Sequence, residues 1–475
     1  MDEIGSVLAE YDRAFGGILV EGIDLAAANR LSLYILLQTR TGCASPSRAA
    51  RCLGALNDLA VLARDRLRKT SPPPALPSPG PPRVLLFLEG ANPSVDGTLR
   101  ATLDQFSPDE ARVAVAYPET LPSARGYDAL AMQDLVPRGV ARNLVDLERS
   151  LRERQRDARV PILRRASLRI WMLRMSLRTA GAARAFRCLY DCFPSTVLVT
   201  ASDTGFWGRC ATLEASHRGI ASVTLQHGMM VGEAGYVPVV SDRFAAWGEA
   251  SARWLRQRGV PAVKIIVVGA PRLQDPASTP RKDRAVLAAG LAIDPSRRWV
   301  LLATNPIRFS KNAAMLEVAR AGVRAWDVNA LLVLKLHPSE EEAAYRAIIG
   351  SDPGVVLVTH GAAPLYDLLG AVDAVLTFHS SVGLEGMLFD RPIVSLEPFG
   401  EENPLSYGRE GAAAVARTAD DLARALSEDV APGPSAGARR AARERYLKDN
   451  LHAVGEKSAA QVRALIQGLA KERTP

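Results

Sequence analysis

One unit recurs along this chain and limits what it can fold into: an apolar run, a turn of small or polar residues, then a helix start. Ala330-Leu331-Leu332-Val333-Leu334-Lys335 runs into Leu336-His337-Pro338. Ala374-Val375-Leu376-Thr377 runs into Phe378-His379-Ser380-Ser381 and a helical stretch from Val382. Unbroken apolar runs alternating with helical patterns predict parallel strands covered on both faces. In such sheets the turns at the carboxyl ends of the strands form the ligand crevice. Two of these turns side by side predict a pocket for a phosphorylated, nucleotide-bearing small molecule.

The pattern divides the chain. Residues 1–70 read as a helical extension, with Ile4, Leu8, Tyr11, Phe15 and Leu19 at helix-like intervals. The proline-dense stretch 71–82 forbids helix and sheet and reads as a linker. Strands are predicted at 83–90, 113–117, 196–200, 221–226, 244–248 and 264–269, then at 299–304, 330–335, 355–358, 374–377 and 392–396. The polar stretch 274–297 separates the two sets. The expected fold is therefore α/β: two Rossmann-like domains, 83–272 and 273–437, followed by a helical segment, 438–475.

With 475 residues, two or three domains are expected. The five cysteines show no metal-type spacing and read as reduced, buried thiols, which suits a cytoplasmic protein. No signal-like segment opens the sequence and no apolar run is long enough to span a bilayer. The net charge of +8 is concentrated: fourteen arginines lie between Arg138 and Arg187 against four acidic residues. Around Trp171 this block interleaves apolar, aromatic and basic residues. That leaves two readings open, a helix lying on anionic lipid and a packed helix with snorkelling arginines. Without a recognised binding module the charge does not indicate nucleic acid.

Several turn residues are candidate ligands. Pro338 ends its strand, and His337 beside it is placed to donate to a phosphate oxygen or to a loop carbonyl. Ser380 and Ser381 suit an anion or a helix cap, which use the same atoms. Thr304, Asn305 and Arg308 follow the first strand of the second set, and the arginine is a phosphate ligand or an ordinary loop residue. Gln226, His227 and Gly228 end a strand of the first domain. Gly228 is expected in a conformation closed to other residues, and His227 touches ligand or lines the cleft.

The order of these segments resembles a known group. Leu225-Gln226-His227-Gly228, Trp247-Gly248, Val268-Gly269-Ala270-Pro271-Arg272, Lys335-Leu336-His337-Pro338, Leu365-Tyr366-Asp367-Leu368-Leu369 with Asp373, and Ser380-Ser381-Val382-Gly383-Leu384-Glu385 are similar to GT-B glycosyltransferases of bacterial surface polysaccharide synthesis. Capsule and lipopolysaccharide Kdo transferases are nearest. Sialyl- and polysialyltransferases and CDP-glycerol glycerophosphotransferases share the His-Pro and Ser-Ser pattern. The resemblance runs from about Arg83 to Ile466.

It implies a cleft between two domains, with the nucleotide on the second, the acceptor on the first, and a C-terminal helix packed back across the hinge. The implied reaction moves a sugar, a CMP-linked acidic one, from a nucleotide donor to a surface-glycan or lipid-linked acceptor. The enzyme would be cytoplasmic, either free or peripheral at the inner face of the plasma membrane, and without a metal or other cofactor. Glu385 would accept from ribose hydroxyls. Such a transfer needs a base for the acceptor hydroxyl, and Asp203, Glu233 and Asp96 are the candidate carboxylates at strand ends, with His227 beside them. Asp203 and Asp96 read equally as helix N-caps. A CDP-glycerol-type polyol-phosphate transferase, a UDP-N-acetylglucosamine 2-epimerase-like isomerase and a non-catalytic scaffold are the rival readings.

Overall fold

The computed structural model describes residues 3–41, 83–89, 93–120, 126–136, 144–305, 309–337, 340–359, 361–378, 380–400 and 403–472. The proline-dense stretch 71–82, the end of the predicted extension, Pro338 and Arg308 lie outside them. A short hairpin near the start pairs β1 (Leu19–Val20) with β2 (Ile23–Asp24).

Seven strands then form one parallel sheet: β3 (Arg83–Leu88), β4 (Ala111–Val115), β5 (Ala129–Ala131), β6 (Ser195–Thr200), β7 (Ala221–Leu225), β8 (Arg243–Ala246) and β9 (Ile265–Val267). Their order is β5-β4-β3-β6-β7-β8-β9. Six more form a second parallel sheet: β10 (Trp299–Ala303), β11 (Leu331–Lys335), β12 (Val355–Val358), β13 (Ala374–Thr377), β14 (Ile393–Leu396) and β15 (Ala414–Ala416), ordered β12-β11-β10-β13-β14-β15. Both orders start in the middle, grow to one side and reverse, which makes each a Rossmann-like sheet with a switch point. In the first sheet it lies between β3 and β6, in the second between β10 and β13.

The strands of the second set other than β15 were legible, and β10, β13 and β14 most clearly, because they are buried at every position, leaving no polar alternation to blur the run. The missed strands, β5 and β15, are three-residue edge strands rich in alanine. Such short runs carry too little apolar signal to stand out.

The N-terminal segment is no detached extension. Helices Glu3–Phe15 and Leu25–Thr41 pack on the two arginine-rich helices, Leu144–Asp157 and Ala166–Cys192. Tyr11, Phe15, Leu25 and Leu33 share a core with Leu151, Leu163, Leu168, Met172 and Met175. That cover takes up the apolar residues Leu151, Leu163, Leu168, Met172 and Met175 of this block. Several arginines are engaged within the protein: Arg184 and Arg187 with Glu21, Arg169 with Glu148, and Arg178 stacked on the Phe206 ring at 3.7 Å. Among the described residues no helix is long and apolar enough to cross a membrane. Cys192 and Cys210 are buried free thiols, and Cys188 is a partly buried one.

The C-terminal segment is two helices. Pro434–Asn450 packs on the second domain and on helix Glu249–Gln257 of the first. Gly455–Glu472 then crosses back, and its Val462, Ile466 and Leu469 enter the core of the first sheet. The crossing fixes two glycines that the sequence marked. A Cβ on Gly248 would stand 2.4 Å from the Asn450 carbonyl carbon, and one on Gly269 would stand 2.2 Å from the Ala453 oxygen. Gly269 also has φ +91, a region L side chains avoid.

Candidate functional site

The carboxyl edges of the two sheets meet at Arg272, five residues past the end of β9. Its Nε donates to the backbone oxygen of His227 at 3.2 Å, and its Nη2 donates to Ser381 Oγ at 3.1 Å. Nη1 lies 3.7 Å from Glu385 Oε1, and the Ser381 hydroxyl donates to that same oxygen at 3.1 Å. The guanidinium also sits 5.3 Å from the centre of the Trp247 ring. One arginine thus ties the strand end of β7 to the turn after β13, and only 13 % of its side chain is exposed.

On the second domain, the turn after β10 is stitched to its neighbours. Thr304 Oγ1 accepts from the His337 backbone N–H at 2.8 Å and donates to Glu340. Asn305 donates through Nδ2 to the Phe378 carbonyl across the switch point. Asn312 donates to the Asn305 carbonyl at 2.8 Å and to Glu340 Oε1 at 2.6 Å, and Tyr345 gives its hydroxyl to Glu340 as well. Thr304 and Asn305 are therefore buried braces of the crevice rather than ligands presented to it. They set the heights of the His337 and Ser380 turns, which lie on either side of β10 at interstrand spacings.

Ser380 Oγ accepts from the Val382 N–H at 3.3 Å, and its carbonyl takes the Tyr407 hydroxyl at 2.9 Å. Ser381 makes no cap bond; its hydroxyl is taken by Arg272 and Glu385. Glu385 is 3 % exposed. With Arg272, Ser381 and the Tyr366 hydroxyl on it, the carboxylate orients Arg272 and is not offered to a ribose. That corrects the ribose expectation.

On the first domain, the His227 ring hydrogen-bonds through Nδ1 to the Ala201 carbonyl at 2.7 Å. A carbonyl accepts only, so Nδ1 carries the proton and Nε2 keeps its lone pair in the neutral ring. Burial lowers the pKa of this imidazole, which favours the neutral form. Its ring stacks on Tyr236 with centroids 5.0 Å apart. Gln226 is buried and bonded at both ends of its amide: its oxygen accepts from Trp247 N and its nitrogen donates to the Gly228 carbonyl, both at 2.8 Å. It braces β7 against β8 and does not reach an acceptor. Gly228 is not in the left-handed region; its constraint is space, since a Cβ there would stand 3.3 Å from the Tyr236 hydroxyl.

Two of the carboxylates chosen from the sequence are misplaced for base catalysis. Asp203 is 1 % exposed, and its Oδ2 accepts from Val240 N at 2.7 Å and Ser241 N at 2.9 Å. It pins the 238–241 loop. It is not the N-cap of the following helix either, because Gly205 holds that position. Glu233 points outward, 62 % exposed, in an ion pair with Arg258 at 3.1 Å. Asp96 lies in the first turn of helix Pro93–Leu103, near enough to Glu89 to disfavour that residue's charge.

Glu89 itself escaped the sequence reading. It directly follows β3 at the switch point, and the strand reading absorbed it near the end of the run 83–90. Its Oε1 accepts from the Gly208 N–H at 2.9 Å. A Cβ on Gly205 would meet Oε2 at 2.8 Å, and one on Gly208 would meet Oε1 at 2.9 Å as well as the Ser202 backbone oxygen, so both glycines lie against this carboxylate. Burial, aided by Asp96 and opposed by Gly208 and Arg178, raises its pKa to about 7. The spacing Gly205-x-x-Gly208 was the available signal. Among the described residues no cluster of three or more His, Cys, Asp or Glu side chains is arranged to hold a metal ion.

Comparison with known proteins adds the following. Residues 246–456 match the family described as CDP-Glycerol:Poly(glycerophosphate) glycerophosphotransferase. No curated protein matches the chain. Among solved structures, a putative UDP-N-acetylglucosamine 2-epimerase from Listeria monocytogenes aligns with a TM-score of 0.55 at 13% identity, covering 82% of this chain and 98% of its own. Anabaena HepE in complex with UDP and glucose aligns with a TM-score of 0.51 at 12% identity, covering 82% and 100%. The UDP-GlcNAc 2-epimerase from Neisseria meningitidis bound to UDP-GlcNAc gives 0.51 at 12%, covering 81% and 100%. At these identities the likeness is one of fold: two Rossmann-like domains in the GT-B arrangement.

Proposed function

We propose that this protein is a nucleotide-dependent transferase that moves a group from a cytidine nucleotide donor to an acceptor hydroxyl. The observation that carries the reading is the family match over residues 246–456. That segment holds Arg272, the His337 turn and the Ser380–Ser381 turn on one edge. The description of the matched family favours glycerophosphate from CDP-glycerol as the transferred group. Glycosyl transfer from a CMP-linked acidic sugar is the second reading, favoured by the order of motifs from Arg83 to Ile466. Either donor places a phosphate in the crevice beside the second domain.

The geometry supports the following roles. Glu89, ionised, takes the proton of the acceptor hydroxyl. The freed oxygen attacks the glycerol-bearing phosphorus of CDP-glycerol, or the anomeric carbon of a CMP-sugar. The bond to the nucleotide phosphate breaks, and CMP leaves with its charge stabilised by Arg272 and by donors of the second-domain turns. His227, neutral, presents Nε2 as an acceptor that orients a hydroxyl. Arg272 holds both strand ends, so donor binding and the acceptor side are mechanically joined.

The deciding experiment incubates the full chain with labelled CDP-glycerol, a labelled CMP-linked acidic sugar, or UDP-GlcNAc. Each donor is given with and without a glycerophosphate-terminated or glycan acceptor. Acceptor-dependent CMP release with label in the acceptor supports the transferase. Conversion of UDP-GlcNAc without acceptor makes the protein an epimerase and ends this reading. No nucleotide binding at all makes it a scaffold.

A further inference from the structure

The second domain has another cavity, at the amino ends of its strands and so on the opposite edge from the crevice. It measures about 470 Å³ and lies between the segments preceding β13 and β14 and the start of helix Pro434–Asn450. Arg443 lines it. This side chain belongs to a residue 5 % exposed, and its Nε and Nη1 are buried with no hydrogen-bond partner.

The carboxylates around it are committed elsewhere. Asp429 takes Arg439 Nε at 2.6 and 2.8 Å. Asp390 pairs with Arg440 at 2.9 Å. Asp373 accepts from Trp299 N at 2.7 Å and Arg284 at 3.2 Å. Arg391 is spent on the carbonyls of Leu369 and Gly370, both at 2.9 Å. Asp390 and Asp429 act on Arg443 only through space, and burial lowers its pKa. The helix beginning at the cavity has Gly433 as N-cap with no side-chain cap bond. An uncapped helix start and an unpartnered guanidinium both call for negative charge.

We infer that this cavity is a second anion site, in which Arg443 and the start of helix Pro434–Asn450 bind a phosphate or a phosphoryl group. A phosphate there sets negative charge against the Arg443 guanidinium, whose Nε and Nη1 have no other partner, and accepts from the free N–H groups of the helix that follow Pro434. The same helix ends at Asn450, against Gly248 of the first domain, so occupancy bears on the element that spans the two domains. The inference stands apart from the transferase reading, because it uses none of the crevice residues.

The test is thermal unfolding of the full chain in the presence of saturating CMP, which fills the crevice, with inorganic phosphate titrated at constant ionic strength against chloride. The expected result is a saturable rise in Tm for the wild type. In Arg443→Met the apparent Kd for phosphate should weaken about tenfold or more. Arg440→Met, on the exposed rim, should weaken it less and guards against misfolding of the buried variant. Glycerol 3-phosphate run in parallel separates the sources: tighter binding than inorganic phosphate assigns a phosphoryl group on a polyol, and equal binding assigns free phosphate. No phosphate-dependent rise in the wild type, or an undiminished one in both variants, overturns the site. If CMP fails to bind, the comparison of wild type with Arg443→Met still reads this site, while the transferase reading fails separately.

Discussion

Arg272 donates to Ser381 Oγ at 3.1 Å while its Nε holds the His227 carbonyl at 3.2 Å, so a single guanidinium spans the cleft between the two sheets. Ser381 and Glu385 hold this guanidinium in place, and on the proposed reading a donor phosphate would compete for the same N–H groups. Arg272→Ala should cut kcat/KM by about 10²–10³, the usual loss for one charge-stabilising donor. Arg272→Lys should recover little, since a point charge cannot bridge Ser381, Glu385 and a carbonyl together. Steady-state kinetics with a circular dichroism control checks this. Unchanged kcat/KM in the alanine variant removes Arg272 from the reaction.

Glu89 gives a pH profile with a definite sign. As base it must be ionised, so activity should fall below pH 7, following its raised pKa of about 7. Glu89→Gln should abolish turnover while leaving CMP binding within about twofold. The stability effect runs the other way. The folded pKa lies above the ordinary carboxylate value, so folding favours the protonated form. The penalty for ionising develops as pH rises through about 7 and is absent at pH 4. Glu89→Gln should thus be more stable than wild type at pH 8 by at most about 3 kcal/mol, and no more stable at pH 4. Paired denaturant curves at the two pH values read this directly.

Asp203 separates a structural carboxylate from a catalytic one. It accepts from Val240 N and Ser241 N, so Asp203→Ala strands one buried and one half-buried donor and should cost about 3 kcal/mol. The residual activity of the folded fraction should keep the wild-type pH profile. A shifted acid limb in that variant would return Asp203 to the chemistry.

Much of this arrangement was legible in the sequence because parallel strands buried on both faces leave uninterrupted apolar runs. Their carboxyl-end turns follow by topology, which is how His337, Ser380 and Ser381 came to be named. Burial and bonding were not legible. Asp203, Gln226 and Asn305 sit at strand ends as ligands do, yet the structure spends their polar atoms on neighbouring backbone. A strand end carries unpaired loop backbone as well as ligand, and one sequence cannot apportion a side chain between the two. Glu89 was hidden for the opposite reason. A carboxylate closing an apolar run looks like its solvent-facing end, and only the fold brings Gly205 and Gly208 under it.

The C-terminal return supplies the last test. Helix Gly455–Glu472 leaves the second domain and completes the core of the first, and the passage is tight at Gly248 and Gly269. The atoms a new Cβ would meet are backbone, which cannot rotate away. Gly269 also pays the cost of positive φ if it becomes alanine. Gly269→Ala should therefore destabilise more than Gly248→Ala, by about 2–4 against about 1–3 kcal/mol. Gly259, which also has positive φ but open space around its Cβ position, isolates the conformational part, and Gly259→Ala should cost only about 1 kcal/mol. Urea unfolding of the three variants checks the ranking. If Gly269→Ala costs no more than Gly259→Ala, the Ala453 backbone does not press on this turn, and the C-terminal helix is not locked across the hinge in the way the contact requires.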